Sequence, residues 1–210
     1  MGGFGDQYLV VVGLFVAAWT LMTVAMMLPT SLPLVALFYA FVRKRPHQLR
    51  LVALLVAGYL GVWTLIGGLV HLGDRGVHAA VEQSGWLQAN AWGISAATFA
   101  LAGVYQFTPL KYSCLEKCRS PFSFIMEHWR GGRESTQALR LGVHHGLFCI
   151  GCCWSLMLVM FAVGVGNLAW MLMLSTVMAV EKNMPWGRRI SAPVGVWLLA
   201  LGVADVALEM

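Results

Sequence analysis

Leu51-Val-Ala-Leu-Leu-Val-Ala-Gly-Tyr-Leu-Gly-Val-Trp-Thr-Leu-Ile-Gly-Gly-Leu-Val-His-Leu72 carries no fixed charge from end to end. About 20 predominantly apolar residues are enough for a helix to cross the hydrocarbon of a bilayer. The run follows directly on Arg43-Lys-Arg-Pro-His-Gln-Leu-Arg50, so charge and apolar sequence are kept apart. The same segregation holds along all 210 residues: 59% are hydrophobic and 11% charged, against about 25% charged in soluble domains. The reading is an all-α, polytopic transmembrane helical bundle, one integral membrane domain over residues 1–210.

Upstream of this run, residues 8–42 form an apolar stretch too long for one straight span. Pro29 and Pro33 lie within it and are expected to kink or break the helix. Met22, Met26 and Pro29 share a face at i, i+4 and i+7. Downstream, further spans are expected at 89–110, 141–163, 168–184 and 190–208, giving about six with 8–42 and 51–72. Residues 73–88 read as a loop holding Asp74, Arg75 and Glu82, with His71 and His78 at the interface. Trp86, Trp92 and Tyr112 suit an aromatic belt around the third span. Residues 111–141 are the longest polar segment, and Phe122–Trp129 within it is expected to lie along the interface. Gly131-Gly132 and Gly164–Asn167 read as turns, Asn167 capping the fifth span. No basic residue precedes the first apolar run, so no cleaved leader is expected. Asp6 stands where acylation at Gly2 would want Ser or Thr.

The loops 43–50, 111–140 and 182–189 hold 13 of the 14 Lys and Arg residues, leaving only Arg75 on the other side. The positive-inside rule then puts those loops in the cytoplasm and both termini on the non-cytoplasmic side. The net charge of +5 is accordingly assigned to a face beside anionic lipid, and no nucleic-acid partner is expected. Nothing points to an enzyme, and no catalytic residue is assigned. The sequence has no Gly-rich phosphate loop, no carboxylate pair near its cysteines and no acidic residue read as buried mid-span.

The chemistry gathers in Gly142-Val-His-His-Gly-Leu-Phe-Cys-Ile-Gly-Cys-Cys-Trp154, where two histidines and three cysteines fall in ten positions. On a helix His145, Cys149 and Cys152 lie within about 60° of one another, Cys153 flanks them and His144 points away by about 100°. A thiolate or imidazolium is costly in hydrocarbon without a partner, and a metal ion supplies one. Cys114 and Cys118, spaced i, i+4 beyond the third span, fall on the same expected cytoplasmic side. Thiols there stay reduced, which favours a thiolate metal site over a disulfide. Such ligands select Cu(I), zinc or an iron–sulfur cluster. Zinc wants four ligands in a structural site, whereas Cu(I) takes fewer and accepts thioether, so Cu(I) is favoured over zinc in a chain with 12 methionines. His144, His128, Met26 and Met27 are possible additional ligands. Against that reading, Cys and Met are ordinary packing residues.

Ala25-Met-Met-Leu-Pro29, Tyr105-Gln-Phe-Thr-Pro-Leu-Lys111, Cys114-x3-Cys118-Arg-Ser-Pro121 and Gly146-Leu-Phe-Cys-Ile-Gly-Cys-Cys-Trp154 together resemble a bacterial family of predicted metal-binding integral membrane proteins. Some of its members are described as copper chaperones. The resemblance implies a multi-pass protein of the bacterial inner (cytoplasmic) membrane with metal held by Cys114, Cys118, His145, Cys149, Cys152 and Cys153. The expected role is Cu(I) handling: a chaperone, an insertion factor, or a copper-bearing accessory subunit beside a copper-dependent membrane enzyme. Two alternatives stay open. One is a structural subunit of a larger membrane complex without metal, its cysteines merely packing and Gly67-Gly68 and Gly164-x-Gly166 allowing close helix approach. The other is a thiol–disulfide protein using Cys114/Cys118 and Cys149/Cys152, which would need the opposite topology or a periplasmic partner.

Overall fold

The computed structural model describes residues 3–90, 92–129, 132–164 and 167–209. The expected turns at Gly131-Gly132 and Gly164–Asn167 lie partly outside these residues, as do Met1 and Gly2. Among the described residues the chain is all-α, with ten helices. They are α1 (Gly3–Met26), α2 (Leu28–Phe41), α3 (Gln48–Gln83), α4 (Gly85–Ala89) and α5 (Trp92–Tyr105). After these come α6 (Pro109–Arg119), α7 (Pro121–His128), α8 (Glu134–Val163), α9 (Leu168–Asn183) and α10 (Gly187–Glu209). Three helices (α3, α8 and α10) are long and apolar enough to cross a membrane, and a fourth crossing is available if the bent pair α1–α2 counts as one. By length and composition this is a multi-pass membrane protein. Leu14, Leu21, Leu65, Leu69 and Val203 point outward, as lipid-facing side chains do.

Two expectations need correction, and the expected proline break is present. The loop expected at 73–88 is helical as far as Gln83, because α3 continues through it as a single 36-residue helix. Val77, Ala79, Ala80 and Val81 carry the helix past Gly73 and Gly76. The polar segment 111–141 is mostly helical as well, divided among α6, α7 and the first turns of α8. The break in the first apolar stretch falls at Met27, just ahead of Pro29, and turns the axis by 65°. Pro29 then occupies the first turn of α2, where its missing N–H costs nothing, and Pro33 is carried inside that helix. At the break the Met27 carbonyl accepts from Thr30 Oγ1 at 2.8 Å and Tyr59 Oη at 3.3 Å.

The chain divides into two compact units: Met1–Ala79 with His128–Gly146, and Ala80–Glu127 with Leu147–Met210. In the first, α3 and the start of α8 meet through glycines. A Cβ on Gly58 would strike the Leu139 carbonyl, one on Gly142 the Leu55 carbonyl, and one on Gly146 the Val62 side chain. Gly67 makes room for the Trp19 indole, whose Nε1 donates to Trp63 O at 2.8 Å. Its neighbour Gly68 faces open space. Backbones this close gain dispersion that larger residues would forbid. We expect Gly142→Ala to cost about 1–3 kcal/mol through overpacking against immovable backbone. Gly61→Ala, on the open side of α3, should be neutral or stabilising by up to about 1 kcal/mol through helix propensity. Thermal unfolding of the two variants in detergent checks the opposite signs.

In the second unit α5 lies along α10. Gly103 receives Leu199, Gly195 faces Gln106 and Phe107, and Gly202 faces Ala96 and Phe99. Ser95 Oγ donates to the Asp205 carboxylate between the same helices. Phe124 and Ile125 of α7 are buried while Phe122 and Met126 are exposed, so α7 is amphipathic as an interfacial segment must be.

Candidate metal centre

Thr108 starts α6 by accepting the Lys111 amide on its hydroxyl, and Pro109 follows at the first helical position. Cys114 and Cys118 then lie one turn apart on α6. Cys149, Cys152 and Cys153 lie on α8, all three buried. The two groups meet in the second unit. Cys114 Sγ rests against Gly151, where a Cβ would collide with it. The Cys118 thiol donates to Cys152 on α8, with Cys149 and Cys153 beside it. Cys152 is therefore the hub between α6 and α8. Cys152 Sγ and Cys153 Sγ donate to the Cys149 carbonyl at 3.1 and 2.8 Å, back-bonding as small polar side chains on helices do. All five cysteines are free thiols. The bond to Cys152, and after it the enclosure of the sulfur, hold the Cys118 thiol well above its ordinary pKa. Burial, and after it Cys152, raise Cys114. Tyr105 closes one side, its hydroxyl donating to Gly151 O and its ring edge-on to Trp154 at 4.9 Å.

The gap at Gly151 gives a local test. Gly151→Ala should keep the fold, because the clashing atom is a flexible side-chain end, but should push Cys114 out. Maleimide labelling of Cys114 should then run severalfold faster than in the parent.

Lys182, near the end of α9, places its ammonium 2.9 Å from Cys149 Sγ and is itself buried. The residue before it, Glu181, faces elsewhere, because consecutive helical positions diverge by about 100°. Its carboxylate takes Lys111 Nζ at 2.7 Å and Ser191 Oγ at 2.7 Å. Lys111 donates to the Gln106 side chain as well. Both ends of the Lys111–Glu181 pair are closed to solvent, at 0% and 2% side-chain exposure. Arg119, the last residue of α6, donates to the carbonyls of Glu181 and Pro185, fastening the end of α9. Lys111 and Lys182, expected as solvated loop charges, are both buried. Sequence reasoning missed Lys182, Glu181, Lys111 and Gln106. The available signal was a Glu-Lys pair inside the last turn of an apolar helix, ahead of the Pro185-Trp186-Gly187 turn.

The other expected ligands lie in the first unit. His145 Nε2 is 3.1 Å from Ser31 Oγ, and its ring lies over Tyr59 with centroids 5.6 Å apart. His128 and His144 pair edge to face, centroids 4.8 Å apart. Met26 and Met27 are buried at the α1–α2 break. Among the described residues no three His, Cys, Asp or Glu side chains are arranged to hold a metal ion as they stand. The donor chemistry nonetheless fits a soft cation: reduced thiols, three of them buried, from two helices that touch, beside a cationic lysine. Taking up such an ion requires the thiols to lose their protons and leave the Cys149 carbonyl.

Residues 16–204 match the family described as "PpoB2: Copper chaperone". The chain belongs to this family. The match spans every helix described at the thiol cluster, from α6 through α8 to α9 and Ser191. No curated protein and no solved structure matches the chain.

Proposed function

We propose that the protein is an integral membrane chaperone that carries Cu(I) as cargo on the thiols of α6 and α8. The observation that carries this is the meeting of Cys114 and Cys118 with Cys149, Cys152 and Cys153, all reduced, around the hub at Cys152. Cys114 is half-buried, while the sulfurs of Cys118, Cys149, Cys152 and Cys153 are enclosed, which makes Cys114 the outer acceptor and the others inner ones. Thiolates select Cu(I) by softness, and stepwise exchange between neighbouring sulfurs passes the ion without releasing it to water. His145 would join only by giving up Ser31 and Tyr59; His144, His128, Met26 and Met27 are not needed.

The proposal includes a single membrane domain crossing the bacterial inner membrane six times, with both termini outside and the thiols near the cytoplasmic face. The distribution of Lys and Arg supports it. The crossings at α5 and α9 would be short, about 21 and 24 Å by helical rise, and the bilayer would thin locally to meet them. The recipient would be a copper-dependent membrane enzyme. Metal analysis after purification under reductant tests the function: about one copper per chain is expected for a single two-helix thiol site. A metal-free protein sinks the proposal, and metal-free protein with an oxidation-dependent mobility shift would favour thiol–disulfide exchange.

A further inference from the structure

We propose that the cavity between the first turns of α3 and α8 is a binding site for an anionic phosphate group, with Arg50 and Arg133 as its main ligands. The cavity has a volume of about 320 Å³, and its lining includes His47, Arg50, Arg133, Glu134, Ser135 and Thr136. All of these belong to the first unit. Among the described residues no carboxylate pairs with either arginine. Glu134, the one acid in the lining, is committed to Arg45. The other acids of this unit, Asp6 and Asp74, lie in the first turns of α1 and toward the far end of α3. Two arginines without an acidic partner therefore border one cavity.

The helices add to this charge. His47 O accepts from Leu51 N, and Arg133 O from Gln137 N, each at 3.1 Å, so these residues are the N-caps of α3 and α8. The contacts at Gly58, Gly142 and Gly146 hold the two helices side by side. Both begin at the cavity, so they run parallel. Each N-terminus carries about half a positive charge, and two such ends side by side repel. An arginine side chain has donors only, so Arg133 cannot cap the amides of Glu134, Ser135 and Thr136 as Thr108 caps α6. An anion between the two ends answers both the repulsion and the open amides. Phosphate suits the place, since guanidinium forks pair with its oxygens and the Ser135 and Thr136 hydroxyls can donate to them. Leu51, where the uncharged run of α3 begins, lines the cavity too. The site thus sits where charge gives way to apolar sequence. A phospholipid headgroup and free phosphate offer the same chemistry there.

The test follows the unfolding temperature of the full-length protein in detergent. The probes are phosphatidylglycerol, phosphatidylcholine and inorganic phosphate, with chloride holding the ionic strength constant. Phosphatidylglycerol or inorganic phosphate should raise the temperature, and phosphatidylcholine much less. Arg50→Gln with Arg133→Gln should need about tenfold more ligand, or beyond, for the same rise. Arg43→Gln with Lys44→Gln removes the same charge from the preceding loop, outside the cavity lining. That variant should need no more than about twofold more, because salt screens charges at a distance. A rise with the lipid alone assigns the site to a headgroup, and a rise with inorganic phosphate alone to the free ion. Inorganic phosphate that displaces the lipid shows that either source is taken. No rise with any of the probes overturns the proposal. Equal losses in the two double variants overturn it as well, since they would mean diffuse attraction to a basic face. Arg50 and Arg133 are exposed, so their double variant should fold; failing that, Arg50→Gln alone carries the comparison. No copper enters the test, so its outcome and that of the chaperone reading are independent.

Discussion

Cys149→Ser combined with Cys152→Ser should take copper from about one per chain to background, the largest functional effect expected of any pair of substitutions in this protein. The two sulfurs are among the inner donors of the proposed site. A serine hydroxyl is a hard donor that Cu(I) does not prefer. Folding should survive the change. Cys152 Sγ donates to the Cys149 carbonyl at 3.1 Å, and a serine hydroxyl makes the same bond back along the helix. The lost volume is small, so loss of metal in a protein that still melts cooperatively reports on chemistry and not on collapse. Cys114→Ser should do less, since this half-buried residue lies at the edge of the cluster, against Gly151. Copper retained at full stoichiometry in the double variant would remove the thiol site from consideration.

The largest effect on stability is expected at Glu181. Glu181→Gln preserves shape and can still accept from Ser191, but it leaves the Lys111 ammonium buried without its anion. Removing one partner of an enclosed ion pair costs about 3–5 kcal/mol. Lys111 is fully enclosed and Glu181 nearly so, so solvent screening does little to soften this. The cost should appear as a lowered unfolding temperature in detergent and a lower yield of folded protein. Lys111→Met together with Glu181→Leu should recover much of the loss, because two apolar groups need no mutual compensation. If Glu181→Gln melts like the parent, Lys111 has another anion or is neutral. The double variant then separates stability from copper binding, since the thiols themselves are left unchanged.

The apolar architecture was legible in the sequence because lipid imposes a blunt rule: long runs without charge. Leu51–Leu72 and the run after Leu141 announced α3 and α8 in that way. The meeting of Cys114 and Cys118 with the α8 thiols was expected from the charge of the loops and is what the structure contains. Where the expectation failed, a local cue was overridden by packing. Asp74, Arg75 and Glu82 marked the end of the apolar run and so a loop, but α3 runs on through them to Gln83. Glu181 and Lys182 looked like the solvated edge of a span, yet each has a buried partner far away in sequence, Lys111 and Cys149, that no periodicity discloses. His145 matched the spacing of a ligand and is engaged instead with Ser31, more than a hundred positions distant. Interactions of that range depend on which helices become neighbours, information a single sequence spreads too thinly to read.

The length of α3 has a mechanical consequence. Its 36 residues make a rod about 54 Å long, against a hydrocarbon layer of about 30 Å. Something near 24 Å of unbroken helix must therefore stand clear of the lipid. Its last four turns bear Asp74, Arg75, His78 and Glu82, which resist being drawn into the oily layer, while Arg43, Lys44, Arg45 and Arg50 crowd its opposite end. Charges at both levels make it costly to slide the rod along the bilayer normal.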